Sequence, residues 1–308
     1  MAPVATIGLP MHNGQEFVAE AIESLLDQTL GDFRLVLFDD CSSDETASIA
    51  AGYVDDPRVT LQQSKRRLGL VGAWQVSHAL AVDLAPDATY FAWASDHDVW
   101  HRQWLEVLAD ELDAHPEAVL AAPLDLSISE LGADLGKEPW RFSTAGVNAP
   151  RDRLLAAVRG MRPGVLVYGL FRTTALAKVG TLPLVPLPDK LLLARLALEG
   201  EFRQVDRILW QRRFRTAVRP TRQRQRQAFF TDSVPVWSYL PSDLIHAVLL
   251  VGSPPRTKES VRLAATYLGA SWVHALGKRR AKLTRAFGRQ RRRARGRARR
   301  AIRSLRRP

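Results

Sequence analysis

Cysteine is nearly absent. The 308 residues include one, Cys41, which excludes an internal disulfide framework and any metal site built from several thiolates. Long apolar runs are missing as well: no stretch reaches the roughly 18 uninterrupted apolar residues of a membrane-spanning helix. The most apolar window, 234–252, is broken by Pro241, Asp243 and His246. The opening Met-Ala-Pro-Val is not a basic segment followed by an apolar one, so a cytoplasmic chain without an integral span is expected. No internal repeat is present. Acid is missing from one place, residues 278–308, which hold 16 Lys and Arg and no Asp or Glu.

That last absence changes the meaning of the net charge. The whole chain carries +12, which alone would indicate a nucleic-acid or membrane-surface binder. Without residues 278–308 the count is 28 basic against 32 acidic side chains, a net of −4. The body is mildly acidic, and the tail and the body need separate readings. With 46% hydrophobic and 25% charged residues, the body can bury a sizeable core.

The order of elements is legible along the first 122 residues. Short apolar runs at 4–9 and 34–38 read as buried parallel strands. Between them lies a helix capped by Asn13, with Glu16 three residues on and an apolar face of Phe17, Val18, Ala21, Ile22, Leu25 and Leu26. A second helix is expected from Ser43 or Asp44 to Tyr53, then a strand at 59–62, a helix at 72–82, a strand at 89–94, a helix over 104–112 and a strand at 118–122. This alternation predicts a doubly wound nucleotide-binding half. From 123 to 150 the pattern weakens to loops. A helix at 152–159, an apolar strand at 165–171 and an apolar helix at 190–198 follow. Helices are expected at 237–251 and 259–276, the second with Val261, Ala265, Leu268, Trp272 and Leu276 on one side.

Two carboxylate clusters end strands. Asp39-Asp40-Cys41-Ser42-Ser43-Asp44 follows the second strand, where open α/β sheets bind ligands, and a carboxylate there accepts from a base N–H or a ribose hydroxyl. Asp44 reads equally as a helix cap, and Cys41 as a turn residue. Asp96-His97-Asp98 sets two carboxylates one residue apart, a spacing that serves a hard divalent cation bridging a diphosphate. His97 is either a third ligand or a polar loop residue. Arg66, Arg67 and Trp74 read as surface charge with a packed indole, and the seven arginines of 212–226 as a solvated run.

Taken in order, Gly8 to Gly14, Ser24 to Thr29, Asp39 to Thr46, Asp96-His97-Asp98, Tyr168 to Arg172, Asp189 with 191–200, and 209–215 resemble the family 2 glycosyltransferases, inverting enzymes of the GT-A fold. The resemblance covers residues 3–215. It implies an α/β, Rossmann-like, doubly wound mixed sheet followed by C-terminal helices and the basic tail. The expected division is a nucleotide-sugar-binding half at 1–122, an acceptor and catalytic half at 123–228, a helical segment at 229–277 and the Arg-rich tail at 278–308.

Carried over residue by residue, the resemblance places Pro10 and His12 against the base, Asn13 in the nucleotide-sugar site, and Asp40, with Asp39, on the nucleoside. It sets Arg67 and Arg215 in the donor site, the first in the segment of Arg66, Arg67 and Trp74 where the family closes over the nucleotide, the second in the arginine run of 212–226 as a nearby loop, and it sets Asp96 on the ribose and metal. Asp96, Asp98 and His97 share Mg²⁺ or Mn²⁺, and Asp189 is the general base. His12 stands where the family usually has Tyr, His97 where many members have Asp, and Arg215 where relatives often have His. The expected partners are a nucleotide sugar, with UDP or dTDP favoured, a glycan or lipid-linked acceptor, and an anionic membrane surface met by 278–308 at the inner membrane face. No specific nucleic acid is expected. The competing readings are a sugar- or partner-binding GT-A module without turnover, and a transferase acting on polyprenyl phosphate.

Overall fold

The computed structural model describes residues 3–214, 240–252, 258 and 260–273. One eight-stranded sheet organises them. Its first half is parallel: β1 (Ala5–Met11) lies between β2 (Phe33–Asp39) and β4 (Tyr90–Trp93), with β3 (Val59–Gln63) outside β2. Nearly every residue of β1 and β2 is buried, as a sheet covered by helices on both faces requires. The second half is mixed. Beyond β4 the order is β7 (Leu170–Arg172), β6 (Ala118–Ser129), β8 (Glu201–Phe214) and the short β5 (Val99–Trp100). Strand β7 is antiparallel to both neighbours, whereas β6 and β8 run parallel.

The helices are α1 (Val18–Leu26), α2 (Thr46–Ala51), α3 (Gly69–Leu84), α4 (Trp104–Ala114), α5 (Pro150–Gly160), α6 (Pro163–Leu166), α7 (Thr173–Val179), α8 (Pro188–Glu199) and α9 (Ser242–Gly252). Residues 260–273 are also helical. Helix α1 buries Val18, Ala21, Ile22 and Leu25, each contributing about 1.5–3 kcal/mol for the larger side chains. Among the described residues no helix is long and apolar enough to cross a membrane.

Several sequence expectations are corrected. Asn13 does not cap α1: it sits at φ 50°, and its Oδ1 accepts from the Ser43 backbone N–H at 2.9 Å. The α1 entry is a backbone turn instead, with the Phe17 and Val18 N–H groups donating to the Gly14 carbonyl. The 165–171 run is not one strand. Pro163 opens the turn of α6, and only Leu170–Arg172 pairs in the sheet. A Cβ on Gly169 would lie 2.4 Å from the Ala121 carbonyl oxygen, so this crossing requires glycine. Residues 123–129 are strand, not loop. Pro123 and the register shifts at Ala122/Leu124 and Leu124/Asp125 interrupt β6, so the alternation of Leu124 to Ser129 does not continue the uniformly apolar run of 118–122. The 215–239 and 274–308 stretches, with Arg215 and the basic tail, lie outside the described residues.

Candidate active site

The C-terminal ends of β1, β2 and β4 converge on one cavity of about 280 Å³, lined by Pro10, His12, Asp40, Arg67, Asp96 and His97 together with Gly14, Phe17, Trp74 and Tyr168. Three loops form it by holding one another. The His12 backbone N–H donates to Asp96 Oδ2 at 3.1 Å, and His12 Nδ1 lies 3.0 Å from the Asp40 carbonyl oxygen. The Gly14 N–H donates to Thr46 Oγ1 at 2.8 Å, and a Cβ on Gly14 would stand 2.9 Å from Asp96 Oδ2. The close approach of the first loop to Asp96 therefore depends on glycine.

Asp40 has a second task. Its Oδ1 and Oδ2 accept from the Leu68 and Gly69 N–H groups at 2.5 and 2.9 Å, so it caps α3 from another loop. This moves the start of α3 to Gly69, three residues before the expected position. Burial raises the Asp40 carboxyl above its ordinary value, opposed by those two donors and by the charges of His12 and Arg67.

The D-x-D carboxylates separate. Asp96 faces the cavity, with Oδ1 2.8 Å from His97 Nδ1. Asp98 is only 2% exposed and turns inward, where Oδ2 accepts from Trp210 Nε1 at 3.0 Å and Oδ1 from the Arg213 backbone N–H at 2.8 Å. Burial raises its carboxyl despite these donors. The β5 pairing of Val99 and Trp100 with Gln211 and Trp210 creates this contact. Arg213 completes the anchor: Nε donates to the His97 carbonyl at 2.8 Å, Nη1 to the Glu130 carbonyl at 2.7 Å, and Nη2 to Glu20 Oε2 at 2.5 Å.

Two other expected residues point elsewhere. Asn13 is exposed and engages Ser42 and Ser43. Asp39 is buried, with Oδ2 accepting from the Ser42 N–H at 3.1 Å and Oδ1 without a hydrogen-bond partner.

The described residues contain no group of three His, Cys, Asp or Glu side chains arranged to hold a metal. A magnesium-type ion characteristically uses one or two carboxylates and completes its shell with water and substrate phosphate. Asp96 with the His97 ring fits an ion delivered on a diphosphate. The three-residue set of Asp96, His97 and Asp98 is not assembled.

Asp189 lies in an adjoining cavity of about 220 Å³, lined also by Val167, Leu182, Leu187 and Arg212, which shares Leu70, Trp74 and Tyr168 with the first. It stands in the first turn of α8, after Leu187 at φ 54° and Pro188. Burial raises its carboxyl above the ordinary value, opposed by the Lys190 backbone N–H and ammonium. The Lys190 N–H donates to Asp189 Oδ1 at 2.9 Å. Gly164 lies beside this site: a Cβ there would be 3.6 Å from Arg212 Nη2 and 4.0 Å from Asp189 Oδ2.

The loop before Asp189 is tied to the C-terminal helices. His246 Nε2 lies 2.8 Å from the Pro186 carbonyl and Nδ1 2.6 Å from the Tyr267 hydroxyl. A carbonyl only accepts, so Nε2 carries the proton and the neutral ring accepts from Tyr267. Lys190 Nζ donates to Asp243 Oδ1 at 2.7 Å.

Sequence reasoning missed the roles of Arg213, Phe17 and Tyr168. Arg212, expected within an undifferentiated arginine run, faces the Asp189 cavity and lies over the Trp210 and Phe214 rings at 5.7 and 5.1 Å. The alternation of β8 would have separated these two arginines, but no strand was expected there.

The fold is that of the GT-A glycosyltransferases. Residues 6–156 match the family model described as "Glycosyl transferase family 2". It is similar to EpsJ of Bacillus subtilis, an uncharacterized glycosyltransferase, at 42% identity over 53 residues, 17% of this chain and 15% of the relative. It is similar to the putative teichuronic acid biosynthesis glycosyltransferase TuaG of the same organism at 26% identity over 105 residues, 34% of this chain and 40% of the relative. These matches span less than half the length of the curated relatives. Among solved structures, S. aureus TarS 1-349 in complex with UDP-GlcNAc superposes with a TM-score of 0.61 at 15% identity, covering 87% of this chain and 72% of that one. The mannosyltransferase PcManGT from Pyrobaculum calidifontis, in complex with GDP-Man and Mn²⁺, gives 0.52 at 18% identity, covering 92% and 76%.

Proposed function

We propose that the chain is an inverting glycosyltransferase that moves a sugar from a nucleoside-diphosphate sugar, with UDP or dTDP favoured, to a hydroxyl of a glycan or lipid-linked acceptor. The observation that carries this reading is the pair of cavities with a common wall of Leu70, Trp74 and Tyr168, one presenting Asp96 and His97 and the other Asp189. TarS bound to UDP-GlcNAc and PcManGT bound to GDP-Man support a nucleotide sugar as the donor class. The name of TuaG supports a cell-wall polysaccharide setting.

Inversion is a single displacement at the anomeric carbon, so the acceptor and the leaving nucleoside diphosphate occupy opposite faces of the sugar. The nucleoside belongs in the cavity of Pro10, His12, Asp40 and Arg67. The acceptor hydroxyl belongs in the cavity of Asp189, whose carboxylate takes the hydroxyl proton as the new bond forms. A carboxyl raised by burial is the stronger base, closer in pKa to the working pH. A divalent cation, Mg²⁺ or Mn²⁺, neutralises charge on the diphosphate when bound, and Asp96 with His97 would hold it. Arg212 adds a fixed positive charge beside the reacting region.

In this reading residues 1–122 bind the donor, 123–228 carry the acceptor side and the base, and 229–277 buttress them. The segment 278–308 attaches the enzyme to an anionic membrane at its cytoplasmic face. The test is thermal stabilisation by UDP, dTDP and GDP with Mn²⁺. A rise in melting temperature with one of them is expected, and no shift with any of the three removes the basis of the reading.

A further inference from the structure

Three of the four described residues of the amphipathic stripe on the last described helix face outward. Sequence periodicity groups Val261, Ala265, Leu268 and Trp272 on one side, the side that a packed helix would bury. The helix over 260–273 instead packs Ala264, Tyr267 and Ala270 into a cluster with Leu154, Leu191 and Leu250. Val261 is 55% exposed and Trp272 66%, and Ala265 is exposed as well, whereas Leu268 is half-buried against that cluster. Helix α9 repeats the pattern: it buries Ala247 and Leu250 and leaves Leu244 and Val248 exposed. Each of the two helices therefore has an apolar inner face and a second apolar strip turned to solvent, an arrangement that marks an interaction surface more than a core.

The charge around the strip identifies its occupant. Arg151 and Arg262 line an open cavity of about 620 Å³ together with Ala265 and Thr266, and Arg151 Nε donates to Thr266 Oγ1 at 3.3 Å. Five residues beyond Val273 begins the segment with 16 basic and no acidic residues. Exposed Trp and Val beside fixed guanidinium groups, continued by a polybasic segment, match the interface of an anionic bilayer, where apolar insertion and headgroup attraction add. An acidic protein would satisfy the charge and leave the apolar strip uncovered.

We propose that the strip of Val261, Ala265 and Trp272 is a bilayer-insertion surface that docks the enzyme on anionic phospholipid, with Arg151 and Arg262 at headgroup level. This inference rests on the membrane reading of the basic segment and extends it from charge to a folded apolar surface. Insertion from this face sets the Asp189 loop, tied through Pro186 and His246 to the same helices, in fixed relation to the bilayer, as a lipid-linked acceptor requires.

Flotation of the full chain with vesicles of phosphatidylcholine, with and without phosphatidylglycerol, tests this. The chain is expected to float with the phosphatidylglycerol vesicles. The double substitution Val261→Ser with Trp272→Ser is expected to weaken that binding about tenfold, whereas Trp272→Phe stays within about twofold. Vesicle binding by the double variant equal to that of the unaltered chain overturns the insertion surface and leaves attachment by charge alone. No binding of the unaltered chain to anionic vesicles overturns both. A dimer that the double variant dissociates assigns the strip to a second copy. A lower melting temperature of the double variant without vesicles assigns it to packing within the chain. Either outcome overturns the proposal.

Discussion

The loops of the donor-side cavity are held by one another, whereas the loop before Asp189 is held by helices that lie outside the family match. On the donor side, the loop after β1 bonds through His12 to Asp40 and Asp96, through Gly14 to Thr46 and through Gln15 to Asp44, which joins the ends of β1, β2 and β4. On the other side, Pro186 and Lys190 reach to His246 and Asp243 of α9. A site built from local side-chain-to-backbone bonds has its geometry fixed by the sheet. The second arrangement separates the base from the donor and attaches it to a part of the chain that can differ without disturbing nucleotide binding.

The sharpest way to break the comparison is Asp189→Asn. The amide is isosteric and cannot accept the acceptor proton, so transfer is expected to fall at least about 100-fold, with nucleoside-diphosphate affinity nearly unchanged. Turnover assays and thermal shifts on the same variant check both halves. Retained turnover would remove Asp189 from the base role. Because burial raises its carboxyl, the acid limb of kcat/KM is expected above the range of an exposed carboxylate.

Acid should next separate the two regions. Burial holds His246 down at about 4 from its ordinary 6.5, so the folded chain binds that proton less readily than the unfolded one. Its contribution to stability is complete above about 6.5 and is lost as the pH falls toward about 4, a loss of about 3 kcal/mol at most. Urea unfolding at pH 7 and pH 4.5 measures it. His246→Gln is expected to flatten that part of the pH dependence, and an unchanged slope would assign the acid sensitivity to other groups.

How far the sequence reveals these regions depends on the range of the interactions. The parallel half of the sheet is legible because its strands are short uniform apolar runs and α1 has a local 3.6-residue period. The start of α3 is not, because its cap, Asp40, lies 28 residues from Leu68. Strand β6 is obscured at Pro123, where its uniformly apolar run gives way to the alternation of 124–129, and β8 by the charged side chains within 203–207 and 211–213. The D-x-D spacing identifies the donor loop, yet nothing in the spacing distinguishes the cavity-facing Asp96 from Asp98. That difference arises from β8, more than a hundred residues away. Asp189 is legible only by resemblance, since a lone Asp after Pro is an ordinary helix start.

A smaller effect is expected from Asp98→Asn, which tests whether this carboxylate anchors the loop or serves the ligand. Both Asp98 oxygens accept from N–H donors, so the amide nitrogen must meet either the Trp210 or the Arg213 donor. A buried donor facing a donor costs about 1–3 kcal/mol. Reduced thermal stability without ligand is therefore expected. Unaltered stability with lost Mn²⁺ dependence would return Asp98 to the metal.

The mildest probe tests how closely the donor loops fit. A methyl group at position 14 lies 2.9 Å from Asp96 Oδ2 and 3.2 Å from Cγ, so in Gly14→Ala the carboxylate must move away from the His12 N–H. Losing that bond costs about 1 kcal/mol, and because Asp96 faces the cavity the loss appears in ligand affinity. Nucleoside diphosphate is expected to bind roughly fivefold more weakly, since about 1.4 kcal/mol would correspond to a factor of ten. Gly31→Ala is the control: its Cβ meets nothing within 4 Å, and Gly31 lies in the turn before β2, away from the cavity. Its affinity is expected to match that of the unaltered chain. Equal affinities for the two variants would mean that Asp96 has room to shift without cost, and that the mutual bracing of the donor loops is looser than their hydrogen bonds imply.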